Sequence, residues 1–256
     1  MPLVEHLSYS SISTYLLCPE SWRRRYILKE KTPTALPLFF GSAVHNTIEA
    51  YLKRGGDLQA LWRENYAAQL QFEDTEIEFG TETPESVSDD GLRILSTPAV
   101  LDMIEQVRKN YDPARENSIE RRIELHVPGV PVPVVGYVDV ITRDGVPGDF
   151  KTVTRMWTAD KAAQEMQPLV YLAALNQAGD NSHGWKFRHY VITKNTRPTA
   201  KVFECQRSPA EVLTDLFPTI QQVWQDINAG RFPKVTSGWK CSEKYCDFWQ
   251  SCQGGA

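Results

Sequence analysis

The chain lacks several things that would have settled its class at once. No apolar run approaches the ~20 residues a membrane helix needs. The start, MPLVEHLSYSS, has no basic segment followed by an apolar one, so no secretory leader is expected. There is no G-x-x-x-x-G-K-[ST] and no G-x-G-x-x-G, which removes the usual loops for nucleotide phosphates. An excess of positive charge is missing too. The net charge is −4, so any contact with nucleic acid must come from a local basic patch. Cysteine is scarce and uneven, with Cys18 near the start, Cys205 alone in AKVFECQ, and Cys241, Cys246 and Cys252 crowded at the end. In a reducing cytosol such clustering points to metal more than to disulfides.

What is present is ordinary for a folded protein. Of 256 residues, 41% are hydrophobic and 23% charged, enough for a packed core in one large domain or two small ones. The expectation is a soluble intracellular protein.

Local patterns predict the element order. Residues 9–17 read as a short helix capped by Ser10 or Ser11 and stopped by Pro19. Helices are expected over 41–54, 58–72 and 88–110, with the acidic EDTEIEFGTETPES as a solvated loop. From about residue 118 the rhythm becomes that of strands: SIERRIELHVP, VPVVGYVDVIT and VPGDFKT, separated by Pro-Gly and Asp-Gly turns. Helix returns over 160–178, with Pro168 as a kink or fresh start, followed by strands in GWKFRHYVITK and AKVFECQ. Ser208-Pro209-Ala210-Glu211 is a helix start signal for a helix to about residue 229. This order predicts an α/β core. Three regions are expected: a helical region over 1–117 carrying Cys18 and His45, a core over 118–230, and a cysteine-rich tail over 231–256 packing back on the start.

The run GYVDVITRDGVPGDFKT places charge inside two adjoining strands. Period two puts Asp149 and Lys151 on one face and Phe150 on the other, in the core. If the two strands pair antiparallel across the RDG turn, Asp139 lies beside Asp149. Two carboxylates held close repel each other unless something positive sits between them, and a divalent cation fits. Lys151 would then orient or deprotonate a water, or offset charge developing on a phosphate. A solvated hairpin with a surface Asp149–Lys151 pair is the plain alternative.

G-x-x-D, about ten residues, D-F-K-T and then a helix with Q-x-x-x-Y (Gln167, Tyr171) resembles the PD-(D/E)xK nuclease superfamily, and within it the RecB-like exonuclease branch. The resemblance runs through nearly the whole chain. It implies a restriction-endonuclease-like core, a central mixed β-sheet flanked by helices. It implies Asp139, Asp149, Lys151, Gln167 and Tyr171 as catalytic residues, with Gln167 and Tyr171 positioning Lys151 or the DNA. His45, in GSAVHNTIEAYL, would join Asp139, Asp149 and the carbonyl of Phe150 as a ligand of Mg²⁺ or Mn²⁺. The implied activity is exonucleolytic hydrolysis of single-stranded DNA or DNA ends, in recombination, repair, phage DNA metabolism or CRISPR adaptation. Partners would be DNA and a separate helicase, recombinase or CRISPR adaptation protein, with an oligomer left open. A nuclease-like module that binds DNA or protein without turnover is the alternative.

Four thiolates from two distant places can bind Zn²⁺ or an iron–sulphur cluster. One cysteine upstream and C-x₄-C-x₅-C at the end is similar to the cluster-bearing RecB-like nucleases of the AddB and CRISPR-associated types. That implies a 4Fe-4S cluster on Cys18, Cys241, Cys246 and Cys252, stapling the tail to the N-terminus. A zinc-stabilised nucleic-acid-binding protein is the other reading. Trp22, Arg23, Arg24 and Arg25 after Cys18, and Lys240, Lys244, Tyr245, Phe248 and Trp249 in the tail, combine aromatic faces with cations in the manner that suits single-stranded DNA.

Overall fold

The computed structural model describes residues 3–111 and 117–252. Helix α1, Tyr9–Leu17, is capped by Ser8 rather than by Ser10 or Ser11. Ser8 is the last residue in extended backbone, so its hydroxyl can accept from the Ser11 N–H at 3.0 Å, while Ser11 Oγ accepts from the Ser8 N–H at 2.9 Å. Pro19 opens a new helix, α2, Pro19–Trp22, which runs into a π-turn at Arg23–Ile27. Strand β1, Thr34–Ala35, precedes α3, Leu36–Arg54, which starts five residues earlier than the expected 41 because Pro37 suits a first helical turn. Helix α4, Leu58–Phe72, has the expected bounds. The acidic link is not wholly a loop. Strand β2, Ile77–Glu78, lies in it and pairs parallel with β1.

The single helix expected over 88–110 is two, α5, Pro84–Leu95, and α6, Pro98–Asn110. Pro98 has no N–H to continue α5, and its fixed φ begins α6 instead. Strands β3, Ile119–Leu125, β4, Val134–Ile141, and β5, Pro147–Val153, follow. Helix α7, Ala159–Gln164, ends before α8, Gln167–Gln177, so Pro168 marks a fresh start. Strands β6, Lys186–Thr193, and β7, Ala200–Gln206, come next. The last long helical stretch comprises α9, Pro209–Glu211, a π-turn at Val212–Leu216, and α10, Phe217–Asn228. Its π-turn precedes Pro218, which has no N–H to give. A short α11, Trp249–Cys252, closes the described chain. Among the described residues, no helix is long and apolar enough to cross a membrane.

Five strands form one sheet in the order β3-β4-β5-β6-β7. β4–β5 and β6–β7 are antiparallel and β5–β6 parallel, giving the mixed sheet and α/β class expected. The β5-to-β6 crossover carries α7 and α8. On one face, Val140, Phe150, Tyr190 and Ile192 pack with Phe39, Phe40, Ala43 and Val44 of α3. Phe150 is buried and stacked on Tyr190, with ring centroids 5.0 Å apart. Truncating it would cost about 3–5 kcal/mol. Odd-numbered neighbours on β5 are thereby turned to the opposite face.

The chain sorts into two compact units, neither continuous in sequence. One comprises Met1–Pro33, Glu124–Gly136 and Pro209–Ala256; the other comprises Thr34–Ile123 and Tyr137–Ser208. The helical region expected over 1–117 is therefore divided. Cys18 belongs with the tail, and His45 with the charged strands. In the first unit, Tyr15 Oη donates to the Arg231 carbonyl at 2.6 Å and Trp22 stacks on Phe232 at 5.8 Å. The tail is tied to the start of the chain by Arg24 Nη1, which donates to Ser251 Oγ at 2.8 Å, and by an ion pair between Arg25 and Asp247.

Candidate active site

The β4–β5 register pairs Val140 with Gly148 and Ile141 with Pro147. Continued by one residue, it sets Asp139 opposite Asp149, so both carboxylates come to the same place. Asp139 Oδ2 accepts the Phe150 N–H at 2.7 Å. The imidazole of His45, on α3, reaches the same oxygen, Nδ1 to Oδ2 at 3.3 Å, and stands edge-on to the Phe150 ring. Burial pushes the Asp139 carboxyl up, and the charge of Asp149 adds to it. The hydrogen bond and charge of His45 and the Phe150 N–H oppose this without cancelling it. For His45 itself, burial pulls down, but Asp139 and Asp149 hold the ring above its usual range.

Asp149 is 3% exposed. Its Oδ1 accepts from Gln167 Nε2 at 2.7 Å, and the same amide nitrogen lies 3.0 Å from Tyr171 Oη. Lys151 Nζ lies 2.7 Å from Oδ2 as an ion pair. Burial lowers the Lys151 ammonium, but Asp149, then Asp139 and Glu165, outweigh it and the net shift is upward. The Tyr171 hydroxyl is raised, first by burial and then by Asp149. The structure thus gathers His45, Asp139, Asp149, Lys151, Gln167 and Tyr171. Gln167, in the first turn of α8, meets Asp149, which in turn pairs with Lys151.

Two neighbours were not picked out from the sequence. Glu120, on β3, adopts φ 53, a strained conformation for a side-chain-bearing residue. Its carboxyl is pushed up to about 7, by burial first, then by Asp139 and Glu49. Period two along IERRIEL gave no sign that this glutamate would turn inward. His189 is the register partner of Asp149 on β6. It is fully buried between Trp157 and Phe187, with ring centroids at 5.1 and 5.0 Å, and neither ring nitrogen has a hydrogen-bonding partner. Burial brings it down to about 4, so it stays neutral. Nothing in FRHYV distinguishes such a histidine from an exposed one.

Two carboxylates and the main-chain carbonyl of Phe150 are hard oxygen donors of the kind Mg²⁺ or Mn²⁺ takes, and the His45 imidazole is a softer nitrogen donor beside them. Asp149 is buried and its charge adds to the upward shift of Asp139, so the two carboxylates are held close with their charges opposed. As the side chains stand, no three His, Cys, Asp or Glu among the described residues converge closely enough to hold a metal ion. Lys151 and His45 lie against the two acids instead.

The other cysteine-bearing place lies in the first unit. Cys18, Cys241, Cys246 and Cys252 line one pocket together with Arg24 and Lys240. Burial pushes the Cys246 thiol up, the Phe248 N–H opposes it, and Asp247, Cys18 and Cys241 add to the rise. Cys205 is buried on β7, apart from this group, as a core residue. The expected DNA contacts after Cys18 need correction. Trp22 is fully buried in a ring stack, so no base can reach its face. Arg23 and Arg24 are both paired with Glu20, at 2.7 and 3.0 Å, and Arg25 with Asp247. Phe248, in the tail, is buried too, beneath the guanidinium groups of Arg24 and Arg25.

With this geometry in hand, the family model of the PD-(D/E)XK nuclease superfamily matches residues 6–253. The chain belongs to that superfamily. A solved structure from Eubacterium rectale, provisionally described as an exonuclease, is similar at 12% identity, covering 97% of this chain and 88% of that one with a TM-score of 0.56. At this identity the likeness concerns the fold. The solved structure of SSO0001 is 16% identical over 96% of this chain and 97% of that chain, with a TM-score of 0.36, too low to support any reading. No curated protein matches. The mixed sheet with flanking helices is consistent with that superfamily's restriction-endonuclease-like core.

Proposed function

We propose that this PD-(D/E)XK chain is a RecB-like, divalent-metal-dependent deoxyribonuclease that degrades single-stranded DNA or DNA from its ends. The observation that carries the reading is the opposition of Asp139 and Asp149 on β4 and β5, with Lys151 2.7 Å from Asp149. His45, Asp139, Asp149 and the Phe150 carbonyl would hold Mg²⁺ or Mn²⁺. The cation would supply positive charge to the scissile phosphate and a more acidic water. Lys151, released from Asp149, would offset charge developing on the phosphate or orient the attacking water. Gln167 fixes the carboxylate of Asp149, and Tyr171 fixes Gln167, so both act by positioning. The provisional exonuclease description of the Eubacterium rectale structure supports attack at ends.

The reading extends to a 4Fe-4S cluster on Cys18, Cys241, Cys246 and Cys252. Four thiols lining one pocket are the donor set that such a cluster takes. A helicase, recombinase or CRISPR adaptation protein would be a separate partner.

The test is digestion of end-labelled single- and double-stranded DNA with Mg²⁺ or Mn²⁺. Release of short labelled products by the protein, and not by Lys151→Ala, is expected, while Lys151→Ala still binds DNA in Ca²⁺. Uncut DNA under all conditions would overturn the enzyme reading in favour of a binding module. Anaerobically purified protein should be brown and contain iron and sulphide, both lost in Cys246→Ser. Zinc without iron would overturn the cluster alone.

A further inference from the structure

The described chain exposes one of its seven tryptophans, and that residue lies in the tail, away from any apolar core. Trp239 is 66% exposed and Tyr245 44%. Their rings meet edge to face, with centroids 5.4 Å apart at 79°. Lys244 Nζ stands 5.3 Å from the centre of the Tyr245 ring. Lys240 follows Trp239 in the chain, and Lys234 is near in sequence. The acid within this loop, Glu243, is occupied by Gln250, whose Nε2 donates at 2.6 Å.

This is a built loop. Gly238 takes φ 94, which permits the turn into it. The Cys241 N–H then bonds the Gly238 carbonyl at 3.2 Å, and Ser242 Oγ donates to the Trp239 carbonyl at 2.9 Å. The Tyr245 and Cys246 N–H groups both return to the Ser242 carbonyl, at 3.0 and 2.9 Å. The two aromatic residues are therefore held together by the backbone that also presents Cys241 and Cys246.

An exposed indole beside a phenol, flanked by lysines, is the chemistry that stacks unpaired bases and neutralises their phosphates. Paired bases would hide the faces such rings need. We propose that Trp239, with Tyr245, Lys240 and Lys244, forms a binding platform for single-stranded polynucleotide, distinct from the residues that hydrolyse it. The platform rests on the nucleic-acid substrate of the proposed function but uses none of its catalytic residues.

The experiment uses the full chain in EDTA, where no cleavage can occur. Binding is read by fluorescence anisotropy with labelled oligothymidylate and oligouridylate of about 20 nucleotides, longer than the ~4–16 that one groove covers, and with a duplex of equal length. Trp239→Ala should weaken single-strand binding about tenfold, the scale of one lost stacking contact, without lowering the melting temperature. Trp239→Phe should keep most of the affinity. Dependence on Trp239 with either strand supports the platform, and the tighter strand names its source. Wild-type affinity in Trp239→Ala, preference for duplex, or a Trp239→Ala effect confined to self-association in sedimentation would overturn it. Failure of the two readings can be told apart. A protein that never cleaves but binds through Trp239 loses the nuclease and keeps the platform. One that cleaves yet binds without Trp239 does the reverse.

Discussion

Gln167 reaches from the first turn of α8 to Asp149 on β5, its Nε2 2.7 Å from Oδ1, and so ties the crossover helix to the carboxylate at the centre of the site. Its Oε1 has no hydrogen-bonding partner. Its amide nitrogen serves Asp149 and Tyr171 together.

The first prediction follows from that tie. Gln167→Ala should leave Asp149 Oδ1 short of a donor and lower stability by about 1–2 kcal/mol. DNA cleavage should fall while DNA binding in Ca²⁺ changes little. Denaturant melts in EDTA and a Mn²⁺ digest are the measurements, and an unaltered cleavage rate would remove Gln167 from the positioning set.

The two acids should behave differently when removed. Asp149→Ala leaves the half-buried Lys151 ammonium and the Gln167 amide without their partner, so the metal-free protein should lose about 1–3 kcal/mol. Asp139→Asn keeps an acceptor for the Phe150 N–H and removes a charge that burial and Asp149 already disfavour. Its metal-free melting temperature should equal or exceed that of the wild type. Both should lose at least about 100-fold in cleavage.

Glu120 predicts a pH dependence. Its carboxyl titrates at about 7 in the fold against 4.5 ordinarily, so the folded state holds the proton longer. Its contribution to stability is full below pH 4.5 and is lost as pH rises through 7. Discounted for its partial exposure, the loss is on the order of 1 kcal/mol. Glu120→Gln should therefore be more stable than wild type at pH 8 in EDTA and equal to it below pH 4.5, as melts across that range would show.

His189 predicts the opposite slope. Its folded value of about 4 lies below the ordinary 6.5, so the unfolded chain takes the proton first as pH falls. Stability is present above pH 6.5 and is lost toward pH 4, by about 2–3 kcal/mol. In His189→Leu that component of the acid loss should vanish. Equal pH slopes in variant and wild type would show that the ring is solvated.

Much of the site was legible because its chemistry is tied to spacing. Period two set Asp149 and Lys151 on one face, the RDG turn set the β4–β5 register, and a separation of four put Gln167 and Tyr171 on one side of a helix. Strand β7 and helix α4 were legible from alternation and periodicity. The rest depended on what packs against what. Trp22 and its arginines looked like a surface patch until Phe232, Glu20 and Asp247 were placed beside them. Pro98 split a helix that apolar periodicity alone carried through. Glu120 and His189 owe their character first to burial among residues distant in sequence, which local pattern does not show.

The chain passes between its two compact units four times, at 33/34, 123/124, 136/137 and 208/209. During synthesis, every residue of the unit bearing His45, Asp139, Asp149 and Lys151 has been made once Ser208 is joined. The unit bearing the four clustered cysteines still waits for residues 209–256. The group formed by His45, Asp139, Asp149 and Lys151 can therefore assemble on the ribosome before the thiols of the tail have met Cys18, and neither unit can be excised as one uninterrupted fragment.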